Sequence, residues 1–383
     1  MENDVSKENT ILKQRLSSLD VSRGFSMFWI AGAEKIADTF YQTGLPGAKI
    51  LTSQLNHRKW IGFTFYDLIY PMFIFAVGVS STLSIRRRME KGEPHSKILK
   101  HILIRTLLLF LLGFWLCNFG LNLHGLLSHP RIFGVLQRIA LCYAGSALLV
   151  LYTKPKYQAI ICGFLLVGYW ILLRFIPVPG YGTGVWNPPE GNWASYFDRL
   201  FLPGRRYYGT WDVEGLLSTF PALSTCLIGV LSGYWLREDH QYKGKRLTPE
   251  NKALLLGIAG AILLGSGLLW GVDFPIIKKI WTSSYAILSG GFSVLGLALL
   301  YFVIDVKGHS KWSIIFMVFG LNSILVYLIS NIKPFDELLN WVTGHALQNW
   351  LGPIGALVTV ILGFLIEWLM LYWMYKRKIF LRL

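Results

Sequence analysis

The sequence predicts an all-α, polytopic integral membrane protein of about ten transmembrane helices, with the N and C termini cytoplasmic. Three observations carry this. Of 383 residues, 53% are hydrophobic and only 15% charged, against about 25% charged in an ordinary soluble domain. Apolar runs of about 20 residues, enough to span roughly 30 Å of hydrocarbon, recur from end to end, and the mean hydropathy is +0.46. The short alternating segments of a transmembrane barrel are absent.

The spans are read at about 22–41, 62–85, 99–121, 132–152, 157–176, 215–236, 252–271, 283–304, 313–331 and 353–375. An even number returns the C-terminus to the side of the N-terminus. With both inside, cytoplasmic segments hold 23 of the 37 Lys and Arg, outer segments hold 12, and Arg105 and Arg138 lie within spans. This asymmetry fixes the orientation. It also accounts for the net charge of +16, so a nucleic-acid partner is not expected. With a polar N-terminal stretch up to Asp20, no cleavable signal peptide is expected. Residues 1–14 read as a cytoplasmic tail and 15–383 as a single membrane domain.

Ionisable groups inside spans are costly and mark functional paths. The first span opens with Asp20 and Arg23, three residues apart and so on one helix face; Glu34 lies near its outer end. His57 stands at the mouth of the second span, with Asp67 about two turns inside it and Pro71 beyond. Arg105 lies two turns into the third span, where snorkelling to the interface competes with a role. Gln137 and Arg138 lie a third of the way into the fourth, too deep to snorkel easily, and are read as cavity-facing. The sixth span begins at Asp212 and Glu214 and carries Pro221, a kink. Asn322 and Ser323 interrupt the ninth as interhelical glue or pocket lining. Glu367, deep in the tenth, has no assignment.

Two long outer loops, about 42–61 and 177–214, are where recognition would be built. The second is rich in Pro, Gly and aromatics and reads as an ordered cover without regular secondary structure. Its Trp and Tyr residues fit either sugar stacking or an interfacial belt. Cys117, Cys142, Cys162 and Cys226 show no ligand spacing, so neither a disulfide framework nor a metal is expected. Phosphate-loop and dinucleotide fingerprints are missing.

Six ordered blocks then resemble the heparan-α-glucosaminide N-acetyltransferase family. They are Arg15 to Gly24, His57 through Trp60 and Gly62 to Asp67 and Pro71, Arg131 to Ala140, Glu214 to Thr219, Asn322 to Tyr327, and Arg377 to Phe380. The resemblance covers nearly all of 15–383. It implies a transmembrane acyltransferase that moves an acetyl group from cytosolic acetyl-CoA to the amine of a glucosamine unit across the membrane. Within that family the chain looks like the bacterial amino-sugar branch without the lumenal domain, in the cytoplasmic (inner) membrane. The family's active-site histidine matches His57 and its acidic position matches Asp67. Where the lysosomal member has a polar amide near the outer end of span 1, this chain has Glu34.

On that resemblance His57 is expected to act as general base for the attacking amine or as a nucleophile carrying the acetyl group, with Asp67 orienting the ring. Glu34, Asp212 and Glu214 are candidates to attract the amino sugar. Gln137 or Asn322 are candidates to donate to the thioester oxygen. Arg86, Arg87, Lys97, Arg105 and Arg138 are candidates for the CoA phosphates. The expected partners are acetyl-CoA, an amino-sugar acceptor and membrane lipid; a homodimer is left open. Two alternatives stand beside the enzyme: an amino-sugar transporter, and an O-acetyltransferase of an envelope glycan.

Overall fold

Each of the ten segments read as a span is helical in the structure, a computed structural model that describes residues 16–237, 241–242, 245–332, 338–339, 341 and 346–381. The stretch 1–14 and the side chain of Glu34 lie outside the described residues. In chain order the helices are α1 Ser17–Gln42, α2 Ala48–Leu55, α3 Phe65–Glu90, α4 His95–Cys117, α5 Leu123–Ser128, α6 Val135–Tyr152, α7 Pro155–Phe175 and α8 Trp193–Phe201. They continue as α9 Thr219–Arg237, α10 Pro249–Trp270, α11 Ser283–Leu300, α12 Ile314–Leu321, α13 Ser323–Ile332, α14 Ala346–Leu351 and α15 Pro353–Lys376.

Eight of these helices are long and apolar enough to cross a membrane: α3, α4, α6, α7, α9, α10, α11 with its continuation to Val306, and α15. The pair α12–α13 makes a ninth if its 70° bend at Asn322 is counted within one span. The expected tenth, α1, is as long as α3 at 26 residues but carries Asp20, Arg23, Glu34, Lys35 and Asp38. Its apolar content therefore falls short, although Asp20 and Arg23 do form the anticipated pair across one turn.

Of the eight, α3 and α9 are the most enclosed, whereas α4, α7 and α10 turn most of their residues outward. Glycine decides how closely the central pair packs. A Cβ on Gly78 of α3 would lie 1.9 Å from the carbonyl oxygen of Cys226, and one on Gly229 of α9 would lie 2.0 Å from that of Phe75. Backbone therefore touches backbone, as small residues permit between helices in lipid. Helices α1 and α12 repeat the device. There a Cβ on Gly24 would meet Phe316 O at 1.8 Å, and one on Gly320 would meet Asp20 O at 2.0 Å.

The connections 43–64, 118–134, 176–218 and 271–282 meet on one face, the upper face. They interlock through Gly62 N to Ile276 O (2.9 Å), Trp60 Nε1 to Trp186 O (2.7 Å) and the bridge between Arg131 and Gly204. The cover at 177–214 departs from its sequence reading because it contains α8. Asn192 starts that helix by accepting from Ser195 N at 3.0 Å, a local cap hidden among prolines and glycines. Pro221 sits in the first turn of α9, where its missing N–H breaks no helical bond, so it is not a kink.

Gly78→Val should push α3 from α9 and lower the thermal midpoint sharply, overpacking costing on the order of 1–3 kcal/mol or more. Gly163→Ala, whose Cβ would meet nothing within 4 Å, should leave the midpoint in place.

Candidate active site at the upper face

Asp67 is the centre of a polar cluster on the upper face. It lies nearer the start of its helix than the two turns expected from sequence, because α3 begins at Phe65 and places Asp67 in the first turn. Its carboxylate is fully buried. Oδ2 accepts from Thr64 N (3.1 Å) and more loosely from Arg58 N (3.4 Å), and Thr64 Oγ1 lies 3.0 Å away. Oδ1 faces His57 Nδ1 at 2.9 Å. A carboxylate at a helix start, met by backbone N–H donors, is where the dipole also favours negative charge.

Pro71 completes the arrangement. Lacking an N–H, it cannot bond the carbonyl of the residue four before it, which is Asp67. Tyr285 of α11 fills that vacancy: its hydroxyl donates to Asp67 O at 2.8 Å. The same tyrosine is edge-on to Trp281, which is edge-on to Tyr70 one turn below Asp67.

His57 keeps 42% of its side chain exposed. Because a carboxylate only accepts, Nδ1 carries the hydrogen of this bond. Tyr66 packs on the imidazole with ring centroids 4.6 Å apart. A third group was not read from sequence: Lys278 places Nζ 2.8 Å from Nδ1, 3.0 Å from Nε2 and 3.4 Å from Asp67 Oδ1. It comes from a 3-10 turn, Lys278–Ile280, in the short loop before α11. No motif announces it; the only sequence signal was a basic pair on the face poor in cations.

Below this cluster a cleft runs between α1, α3, α4, α6 and α13. Tyr70, Val135 and Tyr327 line its upper part, and Arg23, Ser80, Ser81, Arg105 and Tyr143 line it further down. Arg105 lies over the Tyr143 ring at 4.7 Å, and its buried Nε has no hydrogen-bond partner among the described residues. Of the other basic candidates, Arg86 lies over Tyr234 while Arg87 and Lys97 are exposed.

Arg138 is not with them. It is fully buried, donates through Nη2 to Val213 O (2.9 Å), Gly215 O (3.3 Å) and Ser218 Oγ (2.5 Å), and lies over Trp281. Asp212 and Glu214 are likewise engaged. Arg131 holds Asp212 in a two-pronged bond, Nε to Oδ2 3.0 Å and Nη2 to Oδ1 2.7 Å, and reaches Glu214 Oε2 at 2.9 Å. Burial raises the Glu214 carboxyl against the pull of Arg138 and Arg131. These acids fasten the cover to the helices instead of standing open to solvent.

Gln137 is turned toward α4, donating to Ile132 O at 3.0 Å, with its oxygen where a Cβ on Gly113 would fall. Asn322 caps the helix break: it donates to Ile379 O (3.2 Å) and accepts from Leu381 N (2.9 Å), pinning the C-terminal segment. The structure therefore brings His57 and Asp67 together and adds Lys278, but seats Gln137, Asn322, Arg138, Asp212 and Glu214 elsewhere.

A sequence model described as heparan-alpha-glucosaminide N-acetyltransferase, catalytic, matches residues 15–265. The chain belongs to this family. Its relatives in the heparan-alpha-glucosaminide N-acetyltransferase family include the human protein of that name, 28% identical over 96% of this chain, and the mouse protein, 29% identical over 85%. The chain spans 60% and 56% of the lengths of those two. The family match includes His57, Asp67, Arg131, Arg138, Asp212 and Glu214 and stops before Lys278 and Asn322.

Two expectations follow for the cover. Arg131→Ala should leave two buried carboxylates uncompensated and cost about 3–5 kcal/mol, read as a lowered thermal midpoint. Asp198, whose oxygens accept from Asp212 N and Leu216 N, is pushed by burial from 3.8 up to about 6. Between those values the folded chain holds a proton that the unfolded chain has released, so stability falls as pH rises through that window. Asp198→Asn should flatten the dependence of the thermal midpoint on pH from 4 to 7.

Proposed function

We propose that the chain is a transmembrane acetyltransferase that takes acetyl from acetyl-CoA, entering from the face of the basic linkers, and delivers it to the amine of a glucosamine-type sugar at the upper face. In this reading the chain lies in a bacterial inner membrane with both termini cytoplasmic and the upper face periplasmic. The observation that carries it is the bond from His57 Nδ1 to the buried Asp67, on a ring whose side chain keeps 42% of its surface exposed.

The cleft fits the donor's chemistry. An acyl-pantetheine arm is long and mostly apolar, and its phosphates need cations; the cleft is mainly apolar and carries Arg23 and Arg105 in its lower part. The Arg105 Nε, without a hydrogen-bond partner among the described residues, is suited to a phosphate oxygen. Tyr70 and Tyr327 line the upper part of the cleft.

The acceptor must attack as a neutral amine. Its nitrogen bonds to the thioester carbonyl carbon and passes a proton to His57 Nε2 as the charge on nitrogen develops. Collapse breaks the carbon–sulfur bond, and the proton on Nε2 passes to the departing thiolate or to solvent. Asp67 holds the ring in the required tautomer throughout.

Purified protein supplied with acetyl-CoA and glucosamine should yield N-acetylglucosamine and free thiol in equal amounts, and His57→Ala should lower the rate by roughly 10²–10⁴-fold. Absence of product from a folded wild-type chain across a panel of amine and hydroxyl acceptors would remove the reading. Isolation of an acetylated His57 when acceptor is withheld would replace direct transfer with a two-step route.

A further inference from the structure

The turn 206–211 of the cover holds two tyrosines outward on a fixed base. Gly209 lies in the left-handed region (φ 76°), which lets the turn close, and Tyr208 N donates to Trp211 O at 3.1 Å. Tyr207 N donates to Asp212 Oδ2 at 2.8 Å, and Asp212 is itself held by Arg131. Trp211 is buried and packs against the Tyr208 ring, nearly parallel to it, with centroids 4.6 Å apart. Tyr207 and Tyr208 nonetheless stay 62% and 42% exposed. Exposed rings held this firmly have already met much of the ordering cost of binding a ligand.

The two tyrosine rings meet at 75° with centroids 4.9 Å apart, forming a corner. Faces of π systems attract the C–H bonds that a pyranose presents on its flat side. The flanks of the corner are cationic. Arg131 lies over Tyr207 at 5.1 Å, and Lys279 Nζ donates to Tyr208 Oη at 2.5 Å. An ammonium group is repelled there, so the corner suits the hydroxyl-bearing body of an amino sugar and turns its amine away. Because Lys279 only donates, the phenol hydrogen of Tyr208 is not spent on it and can meet a sugar oxygen. The corner is tied to the histidine cluster from two sides. Trp60, three residues after His57, is edge-on to Trp211 at 5.5 Å, and Lys279 directly follows Lys278.

We propose that Tyr207 and Tyr208 determine acceptor specificity by stacking the sugar ring while its amine is directed to His57. The acceptor's role as an acetyl receiver rests on the function proposed above; the binding of its ring to this corner is separable from acetyl transfer. The competing assignment, a belt of aromatics at the membrane boundary, requires no contact between these rings and a sugar.

Ligand-observed NMR on the full chain in detergent micelles, without acetyl-CoA, gives a dissociation constant for glucosamine. Tyr208→Ala should weaken binding about ten-fold, and Tyr208→Phe, which keeps the ring, should stay within about three-fold of wild type. Glucamine, which carries an amine and hydroxyls on an open chain, should bind the wild type and Tyr208→Ala equally. If Tyr208→Ala fails to fold, Tyr207→Ala carries the same comparison. No glucosamine binding to the wild type, unchanged affinity in folded Tyr208→Ala, equal losses in the Ala and Phe variants, or an equal loss for glucamine each overturns the proposal. If glucosamine binds as expected while no acceptor is acetylated, the functional reading fails and the sugar-binding corner stands. If acetylation proceeds with the same KM for glucosamine in Tyr208→Ala, the corner fails and the functional reading stands.

Discussion

A carboxylate without access to water needs each of its oxygens met, and the upper face is organised around meeting those of Asp67. The turn before α3 supplies Thr64 and the backbone of Arg58, the mouth of the membrane supplies His57, and the loop before α11 supplies Lys278. Even the carbonyl of the same residue, released by Pro71, is claimed by Tyr285. Two stretches of chain far apart in sequence, 57–67 and 278–285, are thus joined by one side chain and one backbone oxygen. Burial that would be prohibitive for an isolated charge becomes a way of setting geometry.

The second polar centre, Arg131 with Asp212 and Glu214, works on the same principle with a different result. Its charges neutralise one another within the protein and tie the cover of residues 193–218 to the start of α6. Arg138 extends this by binding carbonyls at 213 and 215 while lying over Trp281. Trp281 in turn ends the turn that carries Lys278. The cover and the histidine cluster are therefore mechanically continuous.

Much of this was legible in the sequence, unevenly. Helix positions followed from apolar run length, and His57 with Asp67 stood out because ionisable groups near a span are rare. The pair Asp20 and Arg23 followed from helical spacing. Partners were harder. Asp212, Glu214, Arg138, Gln137 and Asn322 were rightly noticed as unusual, but a buried polar residue tied to backbone looks, in sequence, like one awaiting a ligand. Lys278 was hidden because its neighbour in space is 221 positions away and a lysine in an outer loop is ordinary. α8 was masked by composition, since one asparagine cap outweighed the surrounding prolines and glycines.

The bend at Asn322 ties two distant parts of the chain into one element. Its amide closes on Ile379 and Leu381, which follow α15. Ser323, Ile324 and Tyr327, just past the bend, form one wall of the cleft. That wall is therefore anchored by a segment that does not itself line the cleft, and a displacement of the segment after α15 would be passed to the cleft through a single amide.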